Sequence, residues 1–432
     1  MITIKKLKDI SKEDLKKLFN RFGNDLSAIL RDTVIPIIND VKANGDTAVK
    51  AYTEKFDKIK LDSLLATKDE IEKGYKNADA DTLNAFMNAK VNIEEFHVHQ
   101  RKENINYSRP DGTQLGVMYQ PIESAAVYVP GGKASYPSSL LMGAIPAMIA
   151  GTKNISVVTP PNKDGSISNI VLAICKILGI EKIIKAGGSQ GIAAIGLGTE
   201  SIEKTDIIVG PGNIYVTAAK AHLFSLGAVQ IDSMAGPSEV LIIADENANP
   251  DWVAFDLLSQ AEHEESAIPI LVTTSESIAE KVKTAIIKDI EKGKGRYKIK
   301  KTSIENNGLI VLTDSVEQAI EFSNSYAPEH MEFVVKDPLD YLNKIKNVGS
   351  LFLGSYAPVA VGDYYSGTNH ILPTGGACRF ASGLSVETFL RRTTFQHLTK
   401  EALEISRKPI SLMSKDEGFD DKHGGSVEIR FK

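Results

Sequence analysis

KIIKAGGSQGIAAIGLGTESIEKTDIIVGPGN, residues 182–213, decides the fold class. Lys182–Lys185 is a short β-prone run that ends in Gly187-Gly188-Ser189-Gln190-Gly191, and a helical pattern follows. Asp206–Val209 repeats the arrangement and ends in Gly210-Pro211-Gly212-Asn213. A strand, a glycine turn and then a helix is the repeating unit of an α/β protein with largely parallel sheets. Glycine lets a backbone approach a ligand closely, and a helix amino end favours phosphate. In open α/β sheets such turns are where ligands bind.

The same rhythm extends to both sides. Ala125–Val129, Ile155–Val158, Val240–Ile243, Pro269–Thr273 and Leu309–Leu312 are further short apolar runs, and Gly131-Gly132 follows the first of them. The first hundred residues read as mostly helical. Val34, Ile37, Ile38 and Val41 have helical spacing, as do Val49, Tyr52 and Phe56 after a turn at Asn44-Gly45, and Thr82–Gln100 continues in that style. After about Ser382 the strand rhythm is lost. The pattern there predicts helices at Val386–Arg392 and Thr399–Ser406, then a short terminal strand at Ser426–Phe431. The 432 residues suggest two to four domains, with no internal repeat or low-complexity linker.

Composition narrows the function. Apolar residues make up 42% and charged residues 24%, which permits a sizeable core and excludes global disorder. The net charge of −5 argues against a nucleic-acid binder, and the basic run Lys292–Lys301, broken by Gly293 and Gly295, reads as a solvated loop. Two cysteines, Cys175 and Cys378, exclude a disulfide framework and a Cys-only zinc module, and fit a reducing cytosol. The opening MITIKKLKDISKEDL has no apolar signal core, and the apolar stretch Leu140–Ala150 is too short for a membrane span. The expectation is a cytoplasmic protein with no membrane and no nucleic-acid partner.

Chemistry-bearing residues are sparse enough to weigh singly. No complete G-x-G-x-x-G is present, since Gly196-Leu197-Gly198 is followed by Thr199, Glu200 and Ser201. The glycine turns allow a nucleotide and are equally at home in any α/β protein. Of eight histidines, His97 and His99 sit on a charged helical stretch and read as solvated, while His222 and His397 sit in helical patterns and read as structural. Gln260 and His263 are three apart on a helical segment, Trp252–Glu265, so both project from one face as candidate metal donors or as an ordinary polar face. Glu329-His330 precedes the strand Met331–Val335. The pair offers two general-base residue types whose adjacent side chains should point apart, as two groups and not a hydrogen-bonded dyad. Gly362–His370 is a polar, glycine-rich stretch suited to a binding loop or a surface loop. His423 lies in the tail with Glu417, Asp420 and Asp421 nearby.

With these residues assembled, the chain resembles the histidinol dehydrogenase family along nearly its whole length. The strings that carry the resemblance are VYVPGGKASYPSSLLMGAIPA, GGSQGIAA, GTESI, GPGN, AGPSEVLIIAD, DLLSQAEH, SYAPEHMEF, GDYYSGTNHILPT and the closing H-x-x-x-V-x-I-R at His423. The resemblance implies two incomplete Rossmann-like domains, related to the aldehyde dehydrogenase fold, with small N- and C-terminal helical modules. The implied boundaries are 1–30 for an N-terminal helical segment and 31–122 plus 237–380 for a first domain with metal and catalytic residues. A second domain with NAD contacts is 123–236, and 381–432 is a tail serving the partner subunit's site. The resemblance further implies a homodimer with shared active sites. One zinc per subunit is held by Gln260, His263 and Asp363 of one subunit and His423 of the other. Tyr128, Gln190 and Asn213 are implied NAD contacts, and Ser238, His330, His370 and Glu417 are implied substrate contacts beside the metal donors. EGFDDKH carries one residue more before the final histidine than the family usually has, so Asp420 and Asp421 stand as alternatives to Glu417.

The implied activity is the NAD-linked, four-electron oxidation of L-histidinol through L-histidinal to L-histidine. His330 is then the base for both hydride steps, Glu329 activates the water that hydrates the aldehyde, and no cysteine thioester is needed. Zinc acts mainly as a template that orients the substrate, with more than the usual four ligands. Two alternatives are a relative that oxidises another polar alcohol, and a metal module without redox function.

Overall fold

The structure is a computed structural model that describes residues 2–21, 25–131, 136–234 and 236–432. Gly132, the 132–135 part of VYVPGGKASYPSS and the first residue of AGPSE lie outside them. Fourteen strands are present among the described residues. They are β1 (Thr3–Lys6), β2 (Ile105–Ser108), β3 (Gln114–Pro121), β4 (Ser124–Tyr128), β5 (Asn154–Thr159), β6 (Lys182–Lys185), β7 (Ile207–Val209), β8 (Gln230–Ile231), β9 (Glu239–Ala244), β10 (Ile268–Thr273), β11 (Leu309–Leu312), β12 (His330–Val334), β13 (Ser350–Leu353) and β14 (Leu390–His397). The chain forms two compact units: Met1–Gln100 with Glu123–Phe389, and Arg101–Ile122 with Leu390–Lys432.

The first unit holds two all-parallel sheets. One has the order β6-β5-β4-β7-β8 and the other β1-β11-β10-β9-β12-β13. Counted from β4 and from β9, the two sheets contain the order 3-2-1-4-5, which is the Rossmann order without its sixth strand. β1 is added at one edge, paired in parallel with β11. All seven short apolar runs read from the sequence are strands in these two sheets. Side-chain alternation builds the larger sheet's two faces. Val240, Ile242 and Ala244 pack with Val253, Leu257 and Val282 on one face, and Leu241 and Ile243 pack with Phe322, Met331 and Phe333 on the other. Beside the smaller sheet runs a long helix, Ile35–Asp57. Asn44-Gly45 does not end it: Gly45 takes φ 49 as a kink, and Glu200 accepts the Asp46 N–H at 2.8 Å just beyond.

The second unit carries an antiparallel sheet, β14-β3-β2. Two expectations for the tail are corrected here. Val386–Arg392 is not a helix, because only Val386–Phe389 is a 3-10 turn and β14 pairs along its whole length with β3. Ser426–Phe431 is not a strand, because Gly425–Glu428 is helical and Ile429–Phe431 is a 3-10 turn. In both places pairing or packing overrides local propensity: RRTTFQH is β-prone only when a partner strand is present. His397 accordingly sits on a strand and not in a helix.

Candidate active site

Catalytic candidates cluster where β9 and β12 begin. Ser238 precedes β9, Glu329 precedes β12, and His330 is the first residue of β12, paired in register with Val240. These are the amino ends of the two strands that flank the larger sheet's switch point. The smaller sheet contributes its carboxyl ends instead, with Pro130 after β4 and Pro211, Gly212 and Asn213 after β7. One sheet therefore follows the rule for α/β ligand sites and the other inverts it.

A cleft of about 270 Å³ collects Glu329, His330, Ser238, Gln260, His263, Asp363, His370 and Asn213, with Tyr136, Ser138, Ser139 and Glu264 beside them. Residues as far apart in the chain as Tyr136 and His370 thus meet, as their separate strings suggested only in part.

His330 is 5% exposed, so the Glu329-His330 pair lies inside the fold. Its Nδ1 lies 2.9 Å from the carbonyl of Glu239. A carbonyl only accepts, so Nδ1 keeps its proton and Nε2 is the nitrogen at which the ring gains or loses the other one. Nε2 has no hydrogen-bond partner among the described residues and stands 3.7 Å from Asp363 Oδ1. Burial lowers the His330 pKa, but the charges of Glu329 and then Asp363 outweigh it and lift the group to about 9. The expectation that the two side chains point apart is corrected: Glu329 Oε2 comes within 3.5 Å of His330 Nδ1. Glu329 Oε2 also accepts the Glu239 N–H at 2.8 Å, which leaves Oε1 for a ligand.

His370 is held at both nitrogens. Nδ1 donates to the Asp363 carbonyl at 2.8 Å, so Nε2 accepts from the Ser139 hydroxyl at 3.1 Å. Burial pushes its pKa down, which keeps the ring neutral. Ser139, on the buried helix Pro137–Ala150, was passed over in the sequence, where nothing local distinguishes it from a core serine.

Three donors suited to zinc line this cleft. The helix runs Pro250–Ala261, shorter than expected, so Gln260 occupies its last turn and His263 lies just beyond, its N–H bonded to the Gln260 carbonyl at 3.2 Å. Asp363 comes from the short helix Val359–Tyr364, not from a loop. Gln260 is buried, and its Nε2 has no partner among the described residues. An amide whose oxygen can ligate, an imidazole and a carboxylate lining one cleft form a donor set that suits a cation taking nitrogen and oxygen. Among the described residues, however, no three His, Cys, Asp or Glu side chains converge as a ready metal site.

A second cleft, of about 360 Å³, brings together Tyr128, Gln190 and Asn213 with Gly131, Gly187, Gly188 and Asp57. Asn213 lines both clefts. Its Oδ1 caps the helix Ile214–Ser225 by accepting from Tyr215 N and Val216 N, which leaves Nδ2 for a ligand. The turn before it is anchored from beneath: Gly210 N–H donates to Asp232 at 2.7 Å, and buried Lys220 donates to the Gly210 carbonyl at 3.0 Å. Gly188 N–H donates to the Tyr128 hydroxyl, and burial pushes that hydroxyl's pKa up to about 12. Asp57 Oδ2 is buried without a partner among the described residues, and burial raises its pKa.

Some histidines were misread. His97 is not solvated but fully buried, with Nδ1 on the Ile93 carbonyl and Asn369 near Nε2. Both cysteines are free, and burial raises both thiols, Cys378 to about 12. Neither lines the cleft of His330. Glu417 and His423 belong to the second unit. Glu417 ends the helix Lys400–Asp416, and His423 sits in a π-helical turn, Asp420–Gly424, closed by Gly424 N–H on the Phe419 carbonyl at 3.0 Å.

Among the described residues no helix is long and apolar enough to cross a membrane. Residues 21–431 match the family model described as histidinol dehydrogenase. The chain is 49% identical over 420 residues to a histidinol dehydrogenase of Leptospira biflexa, covering 96% of each. It is 46% identical over 431 residues to one of Methanocaldococcus jannaschii, covering 99% of each. The crystal structure of histidinol dehydrogenase from Elizabethkingia anophelis matches with a TM-score of 0.91 at 38% identity, covering all of this chain and 98% of that one.

Proposed function

The chain belongs to the histidinol dehydrogenase family, NAD-dependent oxidoreductases of the final steps of histidine biosynthesis, and we propose that the two joined clefts oxidise L-histidinol through L-histidinal to L-histidine. One observation carries the reading: Asn213 lines both the cleft of Glu329 and His330 and the cleft of Tyr128 and Gln190, so a substrate in one reaches a cofactor in the other.

The roles follow from the atoms. His330 Nε2, unpartnered and aimed by the Nδ1 bond, takes the hydroxyl proton in its deprotonated form as hydride leaves the carbinol carbon. Glu329, with Oε2 committed and Oε1 open, takes a proton from the water that adds to the aldehyde. Once His330 has passed that proton to solvent, it takes a hydroxyl proton from the hydrate as the second hydride leaves. Two NAD molecules, bound one after the other in the neighbouring cleft, would each supply the acceptor for one hydride. Ser238 presents its hydroxyl to the substrate, the neutral His370 ring lines the cleft beside it, and the cleft holds the aldehyde between steps.

Gln260, His263 and Asp363 would hold a zinc ion, whose bound form orients the substrate's nitrogen atoms. The fourth donor in this reading is His423 of a second copy, with Glu417 or a neighbouring aspartate on the substrate. Uncovered apolar side chains on the second unit support pairing of copies: Ile405, Leu412 and Met413 lie at one-face spacing on the helix Lys400–Asp416 and are exposed. We place the enzyme in the cytoplasm.

The test counts NADH formed per histidinol consumed, with and without a chelator. About two, abolished by chelation and restored by zinc, is expected from the double oxidation. A ratio near one, with histidinal in the medium, would remove Glu329 from its proposed role. His330→Asn and Glu329→Gln should each lower turnover by about 10²–10⁴ while zinc stays bound, which is the span of general-base contributions. Near-normal rates in both would overturn the assignment.

A further inference from the structure

Glu239, the first residue of β9, is fully buried and takes no part in the chemistry above, yet all its polar groups are committed. Its N–H donates to Glu329 Oε2 at 2.8 Å, and its carbonyl accepts from His330 Nδ1 at 2.9 Å. Its Oε2 accepts the Glu329 N–H at 3.3 Å, and its Oε1 accepts the Gly375 N–H at 3.1 Å. Glu239 and Glu329 therefore hold each other by two reciprocal backbone-to-carboxylate bonds, and the same residue fixes the His330 tautomer.

A buried carboxylate needs a counter-charge. Arg21 supplies it as a fork, Nε to Oε1 at 2.6 Å and Nη2 to Oε2 at 3.0 Å. Arg21 is buried too, and its other donors end on the carbonyls of Tyr326 at 2.9 Å and Ala327 at 3.2 Å, with its guanidinium 3.6 Å from the Tyr326 ring centroid. Those carbonyls close the helix Val316–Tyr326, and Ala327 takes φ 56, where the chain turns through Pro328 into Glu329. One ion pair thus grips the Glu329-His330 dipeptide both through the strand beside it and through the helix end before it.

We propose that Arg21 and Glu239 are positioning residues for the proton-handling pair: Glu239 aims Glu329 and sets which nitrogen of His330 is the base, and Arg21 holds the Glu239 carboxyl in place. The inference rests on the roles given to Glu329 and His330.

The test uses zinc-loaded, full-length protein carrying Glu239→Gln, Arg21→Met or Arg21→Lys. Turnover per zinc-containing folded site should fall at least tenfold in Glu239→Gln and Arg21→Met, with KM for histidinol and NAD within about twofold. Arg21→Lys, which keeps the charge, should recover part of the loss. The solvent deuterium isotope effect on kcat should rise above that of the parent, because proton transfer becomes limiting. A merely structural role would lower the folded or zinc-containing fraction and leave that isotope effect unmoved, and this outcome overturns the proposal. So does a rise in either KM at unchanged kcat. Glu329→Gln and His330→Asn are run alongside. If they stay active, the underlying roles are wrong; if they die while Glu239→Gln and Arg21→Met keep full turnover, only the positioning role is wrong.

Discussion

Single residues in this site act through what their other atoms are doing. His330 offers Nε2 because Nδ1 is spent on a carbonyl, Glu329 offers Oε1 because Oε2 is spent on an N–H, and Asn213 offers Nδ2 because Oδ1 caps a helix. Gly210 shows the same dependence in backbone form. It takes φ +112 at the end of β7, and a Cβ there would stand 2.2 Å from the Tyr128 carbonyl oxygen, which is backbone and cannot swing aside. Gly210→Ala must therefore shift the turn that carries Asn213. The expected cost is about 1–3 kcal/mol of stability together with a higher KM for NAD. Thermal unfolding and NAD titration of the variant check it. Unchanged values in both would mean that the turn is free to relax. Most of the candidate residues were legible as residues: Gln260 with His263, Glu329 with His330, and the polar run to His370 all stand out in the chain. Their bonding states were not legible, because each depends on a partner far away in sequence, as Glu239 is from Glu329. His97 failed for the same reason, since the Asn369 beside it gives no local sign in EEFHVHQR.

At the scale of elements, β12 carries two kinds of buried ionisable group on one face, His330 at its start and Glu332 two positions on. Glu332 is 1% exposed, accepts the Val359 N–H at 2.7 Å, and shares its surroundings with Asp256 on the helix Pro250–Ala261. Burial, and then the charge of Asp256, pushes Glu332 up to about 9, and burial raises Asp256 as well. The folded state therefore keeps a proton on Glu332 that the unfolded chain gives up near 4.5. For a carboxyl whose folded pKa is raised, stability from the group is present below the unfolded pKa and is lost as pH climbs toward the folded one, by up to about 1.4 kcal/mol per pH unit. Glu332→Gln keeps the shape and cannot release a proton. Its melting temperature relative to the parent should rise steadily from pH 5 to pH 9, and a constant difference would mean that Glu332 is ionised in the fold. The strand itself was legible from its apolar run. Edges were not: β1 reads TIKK, polar and mostly exposed, and becomes a strand only because β11 offers it a parallel partner more than three hundred residues away. β14 likewise depends on β3, and the tail was read as helix for want of that partner.

For the whole molecule, the proposed function has the two Rossmann-ordered sheets divide the labour of one reaction, with strand carboxyl ends facing the cleft proposed for NAD and strand amino ends carrying the proposed base. The missing G-x-G-x-x-G fits this division: Gly187, Gly188, Gln190 and Asn213, from turns without that spacing, line the cleft proposed for NAD. In the proposed dimer each site also draws His423 from the other copy, and this has a consequence that no single-chain property shares. His330→Asn and His423→Asn should each be nearly inactive alone. Mixed, unfolded and refolded together, half of the dimers are hybrids. In each hybrid one site combines both lesions and the other combines the intact His330 of one copy with the intact His423 of its partner. Activity should therefore return to about a quarter of the wild-type value, as expected for a two-fold assembly with shared sites. If His423 served its own chain, every hybrid site would carry one lesion and the mixture would stay inactive. Recovery that disappears when the two variants are mixed without unfolding would locate the effect in exchanged subunits and not in contaminating wild-type protein.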